Sequence, residues 1–196
     1  MDRWIGEIGM MDVQIRRILD WIDRSPLADR TLVIITADHG ESFGDHNVTT
    51  HGKTLYEQEV RVPLWFRLPP HRARLVEEPV SLIDLGPTIL DLMGQATPGH
   101  YMGQTLVPFL QGEDPKLRRP IAAEGSRKKM MILPNNFKII VDEKNHTEEL
   151  YNLTDDPHET TNLAADEHRM LQASSRLNAF FAAHKIRRKG YKIPAR

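Results

Sequence analysis

The chain has 196 residues, a net charge of −1 and no cysteine. Its near-neutral balance gives no reason to expect nucleic acid as a partner, and the lack of thiols excludes disulfides and thiolate metal sites, leaving oxygen and imidazole as ligands. No apolar run approaches the roughly 18 residues of a membrane span, and Met1-Asp2-Arg3-Trp4 does not begin a signal peptide.

Taken in chain order, the elements alternate between helix and strand. Ile8, Met11, Ile15, Ile18, Leu19 and Ile22 recur at helical spacing and stop at Ser25-Pro26, which predicts an amphipathic helix over residues 7–24 packed on a sheet. Thr31-Leu32-Val33-Ile34-Ile35 predicts a strand over 31–37, covered on both faces. Residues 61–68 predict a second strand, ended by Pro69-Pro70. Residues 87–93 predict a helix with proline in its first turn and Gly94 as its C-cap, and 105–110 a further helical turn.

From Arg119 the pattern changes. Short β-rich runs at 120–124, 129–133 and 137–142, separated by Gly-Ser and Pro-Asn-Asn turn signals, predict a small antiparallel sheet. A last amphipathic helix is expected over 163–185 through Leu163, Met170, Leu171, Leu177, Phe180 and Phe181. Residues 185–196 form a basic tail, read as a solvated terminus. The class is α/β, in two parts: residues 1–115 and a smaller α+β unit over 116–196.

Chemistry concentrates after the first strand, where Asp38-His39-Gly40-Glu41 leads into Gly44-Asp45-His46 and then His51-Gly52-Lys53. The carboxyl ends of strands are where open α/β sheets hold ligands. Adjacent Asp and His reach one cation only if the backbone turns, and Gly40 permits that turn. A carboxylate beside an imidazole suits a divalent ion such as Zn or Mn, whereas Ca prefers an all-oxygen shell. A lysine and a second imidazole near such an ion suit a sulfate or phosphate ester. Arg61 is read as structural, paired with Glu57 or Glu59.

At this point the sequence resembles the sulfatases of the alkaline phosphatase superfamily. The resemblance rests on an ordered set: Asp38-His39-Gly40-Glu41, His51-Gly52-Lys53, Tyr56-Glu57, Arg61-Val62-Pro63-Leu64, and Val80-Ser81-Leu82-Ile83-Asp84-Leu85 with Pro87-Thr88-Ile89-Leu90-Asp91-Leu92. Glu149-Leu150-Tyr151-Asn152-Leu153 and Asp156-Pro157-His158-Glu159 complete it. It implies a partial alkaline-phosphatase-like sandwich, a mostly parallel sheet flanked by helices, followed by a small antiparallel sheet and a terminal helix. It also implies that residues 1–115 are the C-terminal part of the catalytic domain and 116–196 its C-terminal subdomain. By the same resemblance Asp38 and His39 are metal ligands, while Lys53 and His51 are catalytic residues contacting the ester. One divalent ion is implied, Ca by family habit, with Mn or Zn compatible with His39.

The family's Cys/Ser-x-Pro-x-Arg motif, whose Cys or Ser becomes formylglycine, is absent from this sequence, as is a recognisable Thr nucleophile site. The expectation is therefore a truncated sulfatase-type hydrolase of sulfate esters, inactive by itself, whose partner is the missing N-terminal half. Two alternatives stand beside it: a phosphoester or phosphonate hydrolase or phosphoethanolamine transferase of the same superfamily, and a noncatalytic remnant serving as an interaction subunit. Localisation would be periplasmic or secreted if the full-length protein carries a signal peptide, and cytoplasmic otherwise.

Overall fold

The computed structural model describes residues 2–69, 73–115 and 119–184. Helix α1 (Asp2–Asp23) leads through a 3-10 turn at Ala28–Arg30 to strand β1 (Val33–Thr36). A long loop carrying a 3-10 turn at Asp45–Asn47 reaches the single-turn helix α2 (Glu57–Val60) and strand β2 (Leu64–Arg67). A 3-10 turn at Leu82–Asp84 then runs into α3 (Leu85–Leu92), followed by α4 (Val107–Leu110). Strands β3 (Ile121–Gly125), β4 (Lys128–Ile132), β5 (Phe137–Asp142) and β6 (Thr147–Asn152) precede the last helix, α5 (Glu167–Ala183).

The α/β class and the C-terminal antiparallel sheet are as the sequence implies. The parallel pairing expected of the first sheet is not what β1 and β2 form, because Thr36 pairs with Leu64 and Val33 with Arg67, so the two run antiparallel. The chain leaves β1 at one end and, after the loop over 37–63, re-enters beside the residue it left. Nor is β1 covered on both faces: Val33, Ile34 and Ile35 are half-buried and Thr36 is exposed. Helix α1 is not packed flush on this sheet either. Ile15, Leu19 and Ile22 are half-buried, while Ile8, Met11 and Ile18 remain exposed.

The second sheet is a meander in the order β3-β4-β5-β6, every neighbour antiparallel. Because successive side chains on a strand point to opposite faces, Met131, Ile139 and Leu150 point one way and their neighbours Met130, Ile140 and Tyr151 the other. The first set packs against Met170, Ala173 and Leu177 of α5. Each such fully buried aliphatic side chain contributes about 1.5–3 kcal/mol relative to an exposed one. The second set packs against Leu55 and half-buried Tyr56 and Val60, which brings α2 onto the sheet. Helix α5 starts at Glu167, later than its apolar spacing suggests, because the Asp166 side chain accepts a hydrogen bond from the Arg169 backbone N–H and caps it there. The basic tail lies outside the described residues.

A buried ion-pair triad reinforces the α2 contact. Lys138 of β5 is fully buried, and its Nζ lies 2.8 Å from Glu57 Oε1 and 2.8 Å from Glu159 Oε1. Glu159 Oε2 also accepts from the Glu57 backbone N–H at 2.6 Å. Burial pushes the Glu159 pKa above the usual carboxylate range, against the pull of the Lys138 ammonium. Beside the triad, the Tyr56 and Tyr151 hydroxyls both donate to Glu149 Oε2, at 2.7 and 2.8 Å. The Glu149 to Glu159 part of the family-like signature thus ties the second sheet to α2. Farther along, the Asp84 carboxylate is fully buried, ion-paired with Arg119 and bonded by the backbone N–H groups of Ser81 and Gln104.

Candidate metal and anion site

The site is built on the loop between β1 and α2. Gly40 lies so close to α2 that a Cβ there would sit 2.1 Å from the Gln58 carbonyl oxygen, and its N–H donates to the Glu59 carbonyl at 2.8 Å. Only glycine allows this approach, which turns the chain directly after Asp38 and His39. The Asp38 side chain is 90% exposed, and its Oδ2 lies 3.7 Å from His39 Nε2. His39 Nδ1 is 2.8 Å from the Gly40 carbonyl oxygen. A carbonyl only accepts, so Nδ1 carries the proton and the neutral ring offers its Nε2 lone pair on the Asp38 side. The same carbonyl holds the imidazole pKa above its ordinary value.

That arrangement fits a divalent ion. An oxygen and a nitrogen donor already face one another across a gap a cation could bridge after a small closure, and the imidazole is oriented through its other nitrogen by a backbone carbonyl. The donors make up part of a shell only. Among the described residues no group of three or more His, Asp or Glu side chains converges in the way a complete site would require.

The second limb is the segment His51-Gly52-Lys53-Thr54, and one buried carboxylate organises it. Glu59 Oε2 accepts from the backbone N–H groups of Gly52 at 2.7 Å and Lys53 at 3.2 Å, and Oε1 from that of Thr54 at 3.2 Å. The hydroxyls of Thr54 and Ser42 also donate to Oε1. Glu59 is only 4% exposed, so this cluster of donors is what makes its burial tolerable. Gly52 takes a φ of 76°, a left-handed conformation that glycine adopts without strain. The Ser126 hydroxyl, at the tip of the β3–β4 hairpin, donates to the Gly52 carbonyl at 2.6 Å and holds the loop from the other side.

The result is that His51 stacks on His39, with ring centroids 4.2 Å apart and planes 27° from parallel. His51 Nδ1 lies 2.9 Å from Glu41 Oε2. Three of the four sequence-predicted site residues, Asp38, His39 and His51, are thereby brought together. Lys53 shares the loop; its backbone is fixed by Glu59 while the residue is exposed. His46 is directed elsewhere, stacked on Tyr56 with centroids 3.7 Å apart and bonded through Nε2 to the His158 carbonyl. The expected pairing of Arg61 with Glu57 or Glu59 is not made, because Lys138 takes Glu57 and the loop donors take Glu59.

Sequence reasoning did not assign Glu41 or Glu59. The only signal for Glu41 is its place beside Asp38 and His39, and Glu59 enters the sequence reading only as a candidate partner of Arg61. The site opens onto a crevice of about 2220 Å³ lined by Asp38, His39, Thr54 and Glu59 on one side and Glu124 and Ser126 of the hairpin on the other. That exceeds the roughly 300–1,000 Å³ of a fitted small-ligand pocket, so it is an open groove.

Comparison with known proteins places this chain in a family. Residues 2–95 match the sulfatase family model. The delta 4,5-hexuronate-2-O-sulfatase of Bacteroides thetaiotaomicron is 29% identical over 171 residues, covering 80% of this chain and 35% of that protein. Among solved structures, the 2-O GAG sulfatase BT1596 superposes with a TM-score of 0.79 at 28% identity, over 95% of this chain and 44% of that one. The phosphonate monoester hydrolase of Agrobacterium radiobacter superposes with a TM-score of 0.76 at 31% identity, over 91% of this chain and 40% of that one. The chain thus spans about a third of the length of the curated relatives it matches. The matched stretch includes all four predicted site residues, and the superposition on the 2-O GAG sulfatase takes in 95% of the chain; the chain belongs to the sulfatase family.

Proposed function

We propose that this chain carries the metal- and anion-holding part of a sulfuric ester hydrolase. The observation that carries the reading is the Glu59 clamp, which presents His51 and Lys53 on one loop beside Asp38 and His39. Asp38 and His39 Nε2 would hold one divalent ion, Ca by family habit or Mn or Zn by the imidazole donor. When bound, that ion would offset charge on the ester oxygens and favour an anionic nucleophile. The Lys53 ammonium would hold the sulfuryl oxygens, a stabilisation that grows as negative charge gathers on them. His51 Nε2, on the ring edge away from Glu41, would take the proton of the attacking hydroxyl and hand it to the bridging oxygen as the alcohol departs.

The nucleophile is not assigned to any residue here; this reading gives it to a partner segment equivalent to the opening half of the family's catalytic domain. A sulfated sugar is the substrate class suggested by the two sulfatases described above. Phosphonate monoester hydrolysis is the second reading, favoured by 31% identity to the Agrobacterium enzyme and by the Asp-His pair.

The test is co-expression of this chain with the opening half of a full-length relative, followed by assay on an aryl sulfate, a sulfated disaccharide and an aryl phosphonate monoester. Turnover that disappears in Asp38→Asn and Lys53→Ala supports the proposal, and the preferred ester separates the two chemistries. A stable complex that neither binds Ca²⁺ or Mn²⁺ nor turns over any of the three would leave a noncatalytic interaction subunit.

A further inference from the structure

The site described above contains one side chain with no assigned task. Glu41 places one carboxylate oxygen, Oε2, 2.9 Å from His51 Nδ1. Its other oxygen, Oε1, is buried and has no hydrogen-bond partner among the described residues. The Glu41 side chain is 20% exposed, against 49% for the His51 ring it touches. A carboxylate withdrawn this far from water ordinarily gathers several donors, as Glu59 of α2 does. Among the described residues the Glu41 side chain has a single hydrogen bond, to the imidazole, and leaving one carboxylate oxygen unmet is costly. That cost is set against one contact, which marks the contact as what the side chain is placed for.

We infer that Glu41 is a positioning residue that fixes the His51 ring and its tautomer, with the proton on Nδ1 and Nε2 offered to the ester. The inference rests on the reading of His51 as an ester-facing group and extends it to a residue that does not itself touch the substrate. Three constraints meet on the ring. A carboxylate accepts only, so Nδ1 must donate. The stack on His39, at 4.2 Å, sets the plane of the imidazole. The backbone of the next residues is pinned by Glu59, which fixes where the ring is rooted. With plane, root and one nitrogen fixed, Nε2 has one direction left, outward from the Glu41 side. Carboxylate–imidazole pairs serve in this way wherever a histidine must present a particular nitrogen to a reacting oxygen.

The site offers an internal contrast. His39 is also protonated on Nδ1, but its acceptor is the backbone carbonyl of Gly40, which no side-chain substitution removes. His51 depends on a side chain. A substitution of Glu41 should therefore change one ring of the stacked pair and spare the other.

The experiment is ¹⁵N NMR of the imidazole nitrogens in the labelled full chain, comparing the wild type with Glu41→Gln and Glu41→Ala. The expected wild-type pattern has a protonated, pyrrole-type Nδ1 and a pyridine-type Nε2 at both His39 and His51. In Glu41→Gln the amide can donate to Nδ1, so the His51 pattern should invert; in Glu41→Ala it should become a mixture of tautomers. His39 should be unchanged in both variants, which also reports that the loop has kept its fold. A wild-type His51 protonated on Nε2, or a His51 pattern identical in all three proteins, would overturn the assignment. Titration with inorganic sulfate in the presence of Ca²⁺ separates the two layers of the argument. Sulfate only accepts, so a ring that faces it must gain a proton at Nε2 on binding; if His51 shows the expected tautomers but its Nε2 stays pyridine-type in sulfate while Lys53 responds, Glu41 does hold the ring and it is the ester-facing role of His51 that falls.

Discussion

Replacing Glu59 by glutamine should dismantle the His51–Thr54 limb while leaving the strands and helices around it in place. The carboxylate takes three backbone N–H groups and two hydroxyls on its two oxygens. Glutamine keeps one accepting oxygen and turns an N–H₂ toward the remaining donors. If the oxygen keeps the Oε1 position, Thr54 and Ser42 stay bonded, but the backbone N–H groups of Gly52 and Lys53 lose their acceptor. Each unsatisfied buried donor costs about 1–3 kcal/mol. Both residues are exposed and water offsets part of this, so about 3 kcal/mol, in the lower half of the roughly 2–6 kcal/mol that two such donors allow, is the expected sum. At about 1.4 kcal/mol per factor of ten, amide exchange at Gly52 and Lys53 should accelerate by about two orders of magnitude. Exchange in the β4–β5 ladder, whose core includes the fully buried Ile139, should be unaffected. Hydrogen exchange read by NMR on the wild type and the variant checks this. Acceleration of less than tenfold at the two loop amides, or equal acceleration throughout the sheet, would refute Glu59 as the local organiser.

Three other outcomes are expected. Lys138→Met removes the cation between Glu57 and Glu159 and should cost about 3–5 kcal/mol, because two carboxylates are left buried without their partner; a urea midpoint shifted by less than the equivalent of about 1 kcal/mol would contradict it. Asp142→Asn should show a stability deficit that depends on pH. The Lys128 ammonium holds the Asp142 carboxyl well below the usual carboxylate range, so its contribution is present above the ordinary Asp pKa and fades as pH falls through the lowered one. The gap between wild-type and variant urea midpoints should therefore be constant near neutrality and narrow in strong acid, and a gap of the same size at every pH would rule out charge as its source. Asp38→Asn should lower Ca²⁺ or Mn²⁺ affinity at least tenfold by calorimetry while changing stability by no more than about 0.5 kcal/mol, since its side chain is 90% exposed.

The sequence reveals some features of this structure and hides others for identifiable reasons. Apolar spacing located α1 and α5, the proline and glycine at its ends located α3, and turn residues located β3, β4 and β5; α5 buries its stripe, whereas α1 keeps the spacing with Ile8, Met11 and Ile18 exposed. Strand β6 escaped notice: Thr147-Glu148-Glu149 looks like surface, and only Leu150 and Tyr151 are buried. The direction of β2 could not be read from local composition, since apolar runs of that length serve parallel and antiparallel pairs alike. Asp38, His39 and His51 were recognisable by residue type and order. Their organisers were not, for a buried Glu59 or Lys138 is indistinguishable in sequence from a solvated charge; Lys138 even interrupts the apolar run of β5. Burial of such groups is decided by partners far along the chain, and spacing carries no trace of them.

The Lys138 triad has an implication for how sequences of this kind can change. Its three members come from α2, β5 and the segment before α5, so no one of them can drift independently. Losing the lysine strands two acids, and losing either acid weakens the hold on an ammonium that has no water to fall back on. A neutral variant is accessible only by simultaneous replacement, for instance an apolar residue at 138 with uncharged partners at 57 and 159. Among relatives, these three positions should therefore substitute as a block, a correlated signature that can be sought in any alignment and that marks where the site-bearing loop and the second sheet have been inherited as one unit.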